Sequence, residues 1–167
     1  MKEERTKLQF RKNCEGYFLN EKADKILAKE TESGIILFPG GGIDENETVK
    51  QGMIRETFEE TGAKVSQLTY LGNIKIIWGE DWAKTEKQKK RYLEFQGDDM
   101  HFFSGVVKEI TTNESEEDSW NKNKFMELNK VIQKIESKIS SEESTKKYRK
   151  KQIKFLKEIK NKKHFIA

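Results

Sequence analysis

The chain has 167 residues, 33 Lys or Arg against 29 Asp or Glu, a formal net charge of +4 and a hydrophobic content of only 34%. That length and composition fit one domain with a modest core under a heavily charged surface, and no run approaches the roughly 18 apolar residues of a membrane-spanning helix. The lone cysteine, Cys14, excludes an internal disulfide and suits a reducing cytosol, and the opening MKEERTKLQFR lacks the apolar run of a secretory signal, so a cytoplasmic location is expected.

In chain order, residues 8–19 read as a first strand with Cys14, Tyr17, Phe18 and Leu19 as candidate core. Residues 25–29 (KILAK) predict a second strand and residues 34–38 (GIILF) a third, which runs into Pro39 and three glycines. Such a run ends a strand and lets the backbone turn tightly or take positive φ. Asp44 followed by Glu47 has the spacing of an N-cap with its capping-box partner, so a helix is expected from about residue 45 to residue 61, stopped by Gly62. On that helix Ile54, Phe58 and Thr61 are expected to face the sheet. Residues 67–78 are β-rich, residues 79–99 form a long connection, and residues 100–107 predict another strand. Phe125, Leu128, Ile132, Ile135 and Ile139 recur at gaps of three and four, a helical period. Residues 137–145 break it, and Ser140 with Glu143 is placed to cap a last helix carrying Tyr148, Phe155, Leu156 and Ile159 near one face.

The chemistry concentrates between residues 41 and 63, GGIDENETVKQGMIRETFEETGA. Glu56, Glu59 and Glu60 are three or four apart and project from one side of the expected helix. Like charges at this spacing repel by roughly 0.2–0.5 kcal/mol per pair. A helix that only needed solvation would alternate its signs. A divalent cation removes the repulsion, and Mg²⁺ in particular takes a few carboxylates together with substrate phosphates and water.

Gly41, Glu47, Arg55, Glu56, Glu59, Glu60 and Gly62, at their fixed gaps, resemble the Nudix box, the signature of hydrolases that cut nucleoside diphosphates linked to another group. The resemblance covers roughly residues 6–139. It implies an α/β (α+β) fold, an α/β/α sandwich with a mixed β-sheet between helices. It also implies a set of roles: Glu56, Glu59 and Glu60 as ligands of Mg²⁺ or Mn²⁺, with Glu56 and Glu59 in the catalytic group and the proton acceptor undecided. Arg55 orients these carboxylates, Glu47 supports them, and Gly41 and Gly42 bring backbone close to metal and phosphates. Thr57 departs from the pattern, which commonly has a bulky aliphatic residue there.

Outside the box, Trp82 and Tyr92 are candidates to stack on a base, and Lys90 and Arg91 to meet phosphates, against the alternative of a solvated loop with Trp82 covering a core edge. Glu114 and Glu117 are candidates for the extra glutamate that many family members supply before their last helix. Pro39 is the only proline, so the downstream proline associated with ADP-ribose hydrolases is missing. That leaves a nucleoside triphosphate, cut to a monophosphate and pyrophosphate, as the default substrate. Dinucleoside polyphosphates, RNA 5′ ends and a nucleotide-sensing module without turnover remain as alternatives. Residues 141–167 hold ten Lys or Arg and three Glu, so the basic character sits in the tail and the first 140 residues are net acidic. The expected organisation is a catalytic domain over residues 1–140 and a lysine-rich helical extension. That extension either packs on the body or on a second subunit, giving a homodimer, or presents a basic surface to nucleic acid or a membrane headgroup layer.

Overall fold

The computed structural model describes residues 2–111, 120, 125–139 and 143–166. In chain order the elements are α1 (Lys2–Arg5), β1 (Gln9–Leu19), β2 (Lys25–Leu27), β3 (Lys29–Glu30), β4 (Ile36–Leu37), β5 (Gly40–Gly42), α2 (Val49–Thr61) and β6 (Ala63–Ile77). A short 3₁₀ turn at Glu80–Trp82 leads to α3 (Glu86–Glu94), β7 (Phe95–Ile110), β8 (Phe125–Glu127), α4 (Leu128–Ser137) and α5 (Glu143–Ile166). The main sheet runs β6-β7-β1-β2-β8, with β5 also paired to β1. It is mixed, because β1 lies parallel to β7 and antiparallel to β2 and β5.

Strand β1 is the centre of the molecule. Seven consecutive residues, Asn13 to Leu19, are buried, as a strand covered on both faces requires. On one face Cys14, Phe18 and Phe103 pack with Met53 of α2. On the other, Tyr17, Phe102 and Ile74 pack with Val131, Ile132 and Ile135 of α4 and with Phe155, Leu156 and Ile159 of α5. Helix, sheet and helices thus form three layers, the α/β/α arrangement expected from the resemblance. The apolar stripe of α5 is taken up by the body of its own chain.

Several local expectations are corrected. The KILAK segment is split, because β2 joins the main sheet while β3 turns away to pair with β4 in a separate two-stranded sheet. Helix α2 starts at Val49, four residues later than Asp44 suggested. Thr48 is the N-cap, and its reciprocal hydrogen bonds with Gln51 form the capping box. Asp44 and Glu47 instead close a tight turn, with Asp44 N donating to Glu47 Oε1 at 2.9 Å. The packing face of α2 is Met53, Thr57 and Thr61, while Ile54 and Phe58 stay largely exposed. Each threonine satisfies its hydroxyl on the carbonyl one turn back, which lets a polar residue lie fully buried at position 57. Gly62 ends the helix in the left-handed region at φ 73°, with Thr111 O pressed against the space a side chain would need. The long connection after β6 is not an irregular loop but contains α3, capped by Thr85 and Gln88. Phe125 belongs to β8 rather than to α4, and Ile139 lies beyond the end of α4.

Candidate functional site

The site is built where β5 meets the second half of α2. Strand β5 is held on β1 through Cys14↔Gly41 and Glu15↔Gly40, and so carries its three glycines across the end of the box helix. A Cβ on Gly41 would come within 2.6 Å of the Glu56 carboxyl carbon. Only glycine lets the backbone approach that carboxylate so closely.

Arg55 organises the acids. Its Nη2 donates to Gly42 O at 3.1 Å and to Glu47 Oε1 at 2.6 Å, and its Nε donates to Glu47 Oε2 at 3.0 Å. Its Nη1 donates to both Glu56 Oε1 and Glu59 Oε2 at 3.1 Å. One planar fork therefore ties the glycine strand, the turn and the helix together, a geometry that a lysine does not offer. The hydrogen bonds from Arg55 hold the Glu47 carboxyl below its ordinary proton affinity.

Glu56 and Glu60 behave in the opposite way. Burial raises the proton affinity of Glu56. Burial first, and the neighbouring charge of Glu56 second, push Glu60 up to about 8, although the Gly40 amide and the Trp120 indole both donate to it. The charge of one carboxyl thus helps to hold a proton on the other. A pair of acids so placed carries excess negative charge that needs either a proton or a cation. Among the described residues no three acidic, His or Cys side chains already close into a metal cage. Glu59, half-exposed, is drawn to Arg55. The donors at hand are carboxylate and backbone oxygens, a set that suits a hard dication such as Mg²⁺ or Mn²⁺.

Trp82 stacks on the buried Trp78, with centroids 3.7 Å apart and planes 4° apart. Lys90 is exposed on α3. Arg91 lies close enough to Arg11 and Asp98 to perturb both. Tyr92 is covered by the Arg5 guanidinium, 3.3 Å above its ring, and Arg5 also donates to Tyr92 O, so its ring face is in use within the fold. Glu114 and Glu117 lie outside the described residues. Trp120, buried and bonded to Glu60, brings the chain after β7 back to the box.

Sequence reasoning passed over Arg11, Asn13, Asp98 and Trp78. Arg11 and Asp98 are direct partners in the β1–β7 ladder. Asn13 Nδ2 donates to Asp98 Oδ1, and Trp78 Nε1 donates to Asp98 Oδ2 at 2.9 Å. A signal was present: Arg11, Asn13 and Glu15 alternate along a strand whose next positions, Tyr17 and Leu19, are core.

A family profile described as NUDIX domain matches residues 15–148. Among curated proteins, a Bacillus subtilis (strain 168) protein provisionally named as the 8-oxo-dGTP diphosphatase YtkD is 37% identical over 83 residues, 44% of this chain and 52% of that protein. An RNA pyrophosphohydrolase of Tolumonas auensis is 31% identical over 81 residues, 48% of this chain and 44% of the relative. The chain thus spans about half the length of the curated relatives it matches. Among solved structures, the mutator MutT protein from Bacillus halodurans superposes with a TM-score of 0.52 at 18% identity, over 74% of this chain and 72% of that one, which supports the fold.

Proposed function

The chain belongs to the NUDIX domain family, and from that premise we propose that it is a Mg²⁺-dependent pyrophosphohydrolase. Its substrate is a nucleoside triphosphate, cut to a nucleoside monophosphate and pyrophosphate. The observation that carries the reading is the five-bond grip of Arg55 on Gly42, Glu47, Glu56 and Glu59, beside Glu60 on the same helix. Glu56 and Glu60, with Glu59 as the third carboxylate, are the residues that would hold the cation. When bound, the cation neutralises phosphate charge and makes water a nucleophile near neutral pH.

The chain's own residues supply position and charge. Arg55 fixes Glu56 and Glu59 relative to the glycine strand, so that the carboxylates are arranged before substrate arrives. Gly41 leaves open the space against Glu56 that a side chain would fill. Gly40 N and Trp120 orient the Glu60 carboxyl. The Met53–Thr57–Thr61 face anchors α2 on the sheet, which keeps these atoms from drifting as charge builds up in the transition state.

A second reading, hydrolysis of the 5′ triphosphate of RNA, has an observation of its own. A cleft of about 670 Å³ between the end of β6 and the start of α5 is lined by Lys75, Lys146, Lys147 and Lys150. It abuts Trp78 through Ile77 and Gly79. Relatives named RNA pyrophosphohydrolase match the same chain. Among the described residues no helix is long and apolar enough to cross a membrane.

The test is a panel of nucleoside triphosphates and 5′-triphosphorylated oligoribonucleotides with Mg²⁺ or Mn²⁺, scored for released pyrophosphate. Turnover of free nucleotides that Glu59→Gln and Glu60→Gln abolish in a folded protein is the expected result. No turnover on either arm would refute the enzyme reading in favour of a nucleotide sensor. Turnover of RNA alone would replace the first reading with the second.

A further inference from the structure

The cleft between the end of β6 and the start of α5 carries a charge that the fold does not use. Lys146, Lys147 and Lys150 follow Glu143 by three, four and seven places on α5, so they share with it the side of the helix that lines the cleft. Lys75 comes from the opposite wall, on the edge strand β6. Four lysines thus stand against one acid. Among the described residues none of the four ammonium groups is ion-paired, whereas Lys157, further along the same helix, reaches Glu136 at 3.1 Å. Like charges at helical spacing repel, and an anion in the cleft removes that repulsion. The helix is docked by other residues, Phe155, Leu156 and Ile159, which pack into the core. Lys147 Nζ donates to Lys75 O at 2.9 Å and so joins the two walls, leaving Lys146 and Lys150 without a structural bond of their own.

Shape and spacing give the ligand its chemistry. Lys146 and Lys150 are one turn apart, about 6 Å along the helix axis. Charges set out along a line suit a chain of successive anions better than one compact ion. Lysine is a point charge on a flexible stem, which meets a phosphate without reading sequence. At about 670 Å³ the cleft is the size of a small-ligand site, so it admits a short stretch of one strand and not a duplex. The neighbouring apolar groups distinguish nucleic acid from other polyanions. Ile77, 64% exposed on the same wall, offers an apolar surface that a base covers and a bare polyanion does not. Gly79, also on that wall, accepts from Trp82 N at 3.1 Å. The Trp82 ring, half-buried, is the outer layer of the stack on buried Trp78. An aromatic plane beside a basic groove is how proteins hold single strands, because every base has a face to stack.

We propose that this cleft binds the phosphodiester backbone of a single nucleic-acid strand, with Trp82 at its rim as the platform for a base. The site goes beyond the RNA-end reading, because the strand needs no 5′ triphosphate and its binding does not use the acids of the box. It gives the basic tail a partner while the apolar side of the same helix stays packed on the body.

The experiment measures fluorescence anisotropy of labelled single strands of about 12 nucleotides with a 5′ hydroxyl, in RNA and in DNA form, without divalent cation. Wild type should bind them, and log affinity should fall against log salt with a slope of about −2 to −3, roughly 0.7 for each of three or four lysines. The tighter of the two strands is the natural source. Lys146→Gln/Lys150→Gln should lose about tenfold or more at low salt, reduce the slope by about 1.4 and keep its Tm. Lys22→Gln/Lys25→Gln removes the same charge at the other end of β1, where β2 pairs with Leu19, and should lose less than twofold. Trp82→Leu should weaken the intact strand but not an abasic strand of equal length. Affinity of Lys146→Gln/Lys150→Gln within twofold of wild type would overturn the site, and so would an equal loss in Lys22→Gln/Lys25→Gln. A polyglutamate peptide of equal charge that binds as tightly, or an equal effect of Trp82→Leu on both strands, would overturn the assignment to nucleic acid. A wild type that binds the strand but turns over no nucleotide would remove the enzyme reading and leave the cleft standing.

Discussion

Glu15 is the residue whose replacement tests most about how this fold is held. It lies on β1, 7% exposed, and its carboxyl accepts from Tyr17 OH at 2.6 Å, from Gln152 Nε2 at 2.9 Å and from Tyr148 OH. Arg149 Nη1 in turn donates to Gln152 Oε1 at 2.7 Å, so a cation is relayed to the carboxyl through the amide. Three of these four partners come from α5, which makes Glu15 the polar pin between that helix and the central strand. Glu15→Ala leaves three buried donors without an acceptor, each worth about 1–3 kcal/mol, and regains only part of the cost of burying a carboxyl. The net loss should be about 3–5 kcal/mol, a large share of the 5–15 kcal/mol typical of a domain. With a urea dependence of about 2 kcal/mol per molar, the midpoint falls by roughly 1.5–2.5 M. Glu15→Gln keeps the volume and one acceptor oxygen and should cost about 1–2 kcal/mol.

The same network sets a pH dependence. Burial raises the proton affinity of Glu15 above the ordinary carboxylate value of 4.5, against the hydrogen bonds and Arg149, which lower it. A folded-state value above the unfolded one means that the contribution of Glu15 is fully present below about pH 4.5. It is then lost as pH rises through the folded value. The advantage of wild type over Glu15→Gln should therefore be largest in mild acid and shrink toward alkaline pH. Urea unfolding of the three proteins at several pH values measures it. A Glu15→Ala midpoint within 0.5 M of wild type, or a wild-type advantage over Glu15→Gln that grows with pH, would refute the account.

Arg55→Lys and Arg55→Ala should both keep the fold and lower kcat by about 100-fold or more, because among the described residues no other cation spans Gly42, Glu47, Glu56 and Glu59; a Lys variant with near wild-type kcat would show that charge alone suffices. With Glu60 pushed up to about 8, cation binding at pH 7 should release close to one proton, read as a buffer-dependent calorimetric enthalpy that vanishes in Glu60→Gln. The stability of the metal-free protein should fall as pH rises from about 4.5 through about 8, since Glu60 is protonated in the fold and ionised in the unfolded chain. Gly62→Ala forces a side chain into φ 73° against Thr111 O and should cost about 1–3 kcal/mol; an unchanged Tm would contradict the close approach.

The glycines read as a tight turn and became a strand only through their pairing with β1, whereas the sequence by itself determined the box helix, its stop at Gly62 and the acids on it. These are local features, where a few residues decide φ, capping and which side chains share a helical face. It also marked the apolar stripes of α4 and α5, since a period of 3.6 is visible without any partner. The start of α2 was missed because two overlapping pairs, Asp44 with Glu47 and Thr48 with Gln51, have the same spacing, and only the packing of Met53, Thr57 and Thr61 on the sheet selects the second. The face of α2 was missed because Thr57 and Thr61 are polar by composition and become buried only once each hydroxyl bonds back into the helix. The association of Arg11 with Asp98 was illegible for a different reason: the residues lie on β1 and β7, nearly ninety positions apart in the chain. A parallel pairing of distant strands brings them together, and no local preference encodes that register. The same holds for Glu15 and α5, whose charge balance exists only after more than a hundred residues have folded between them.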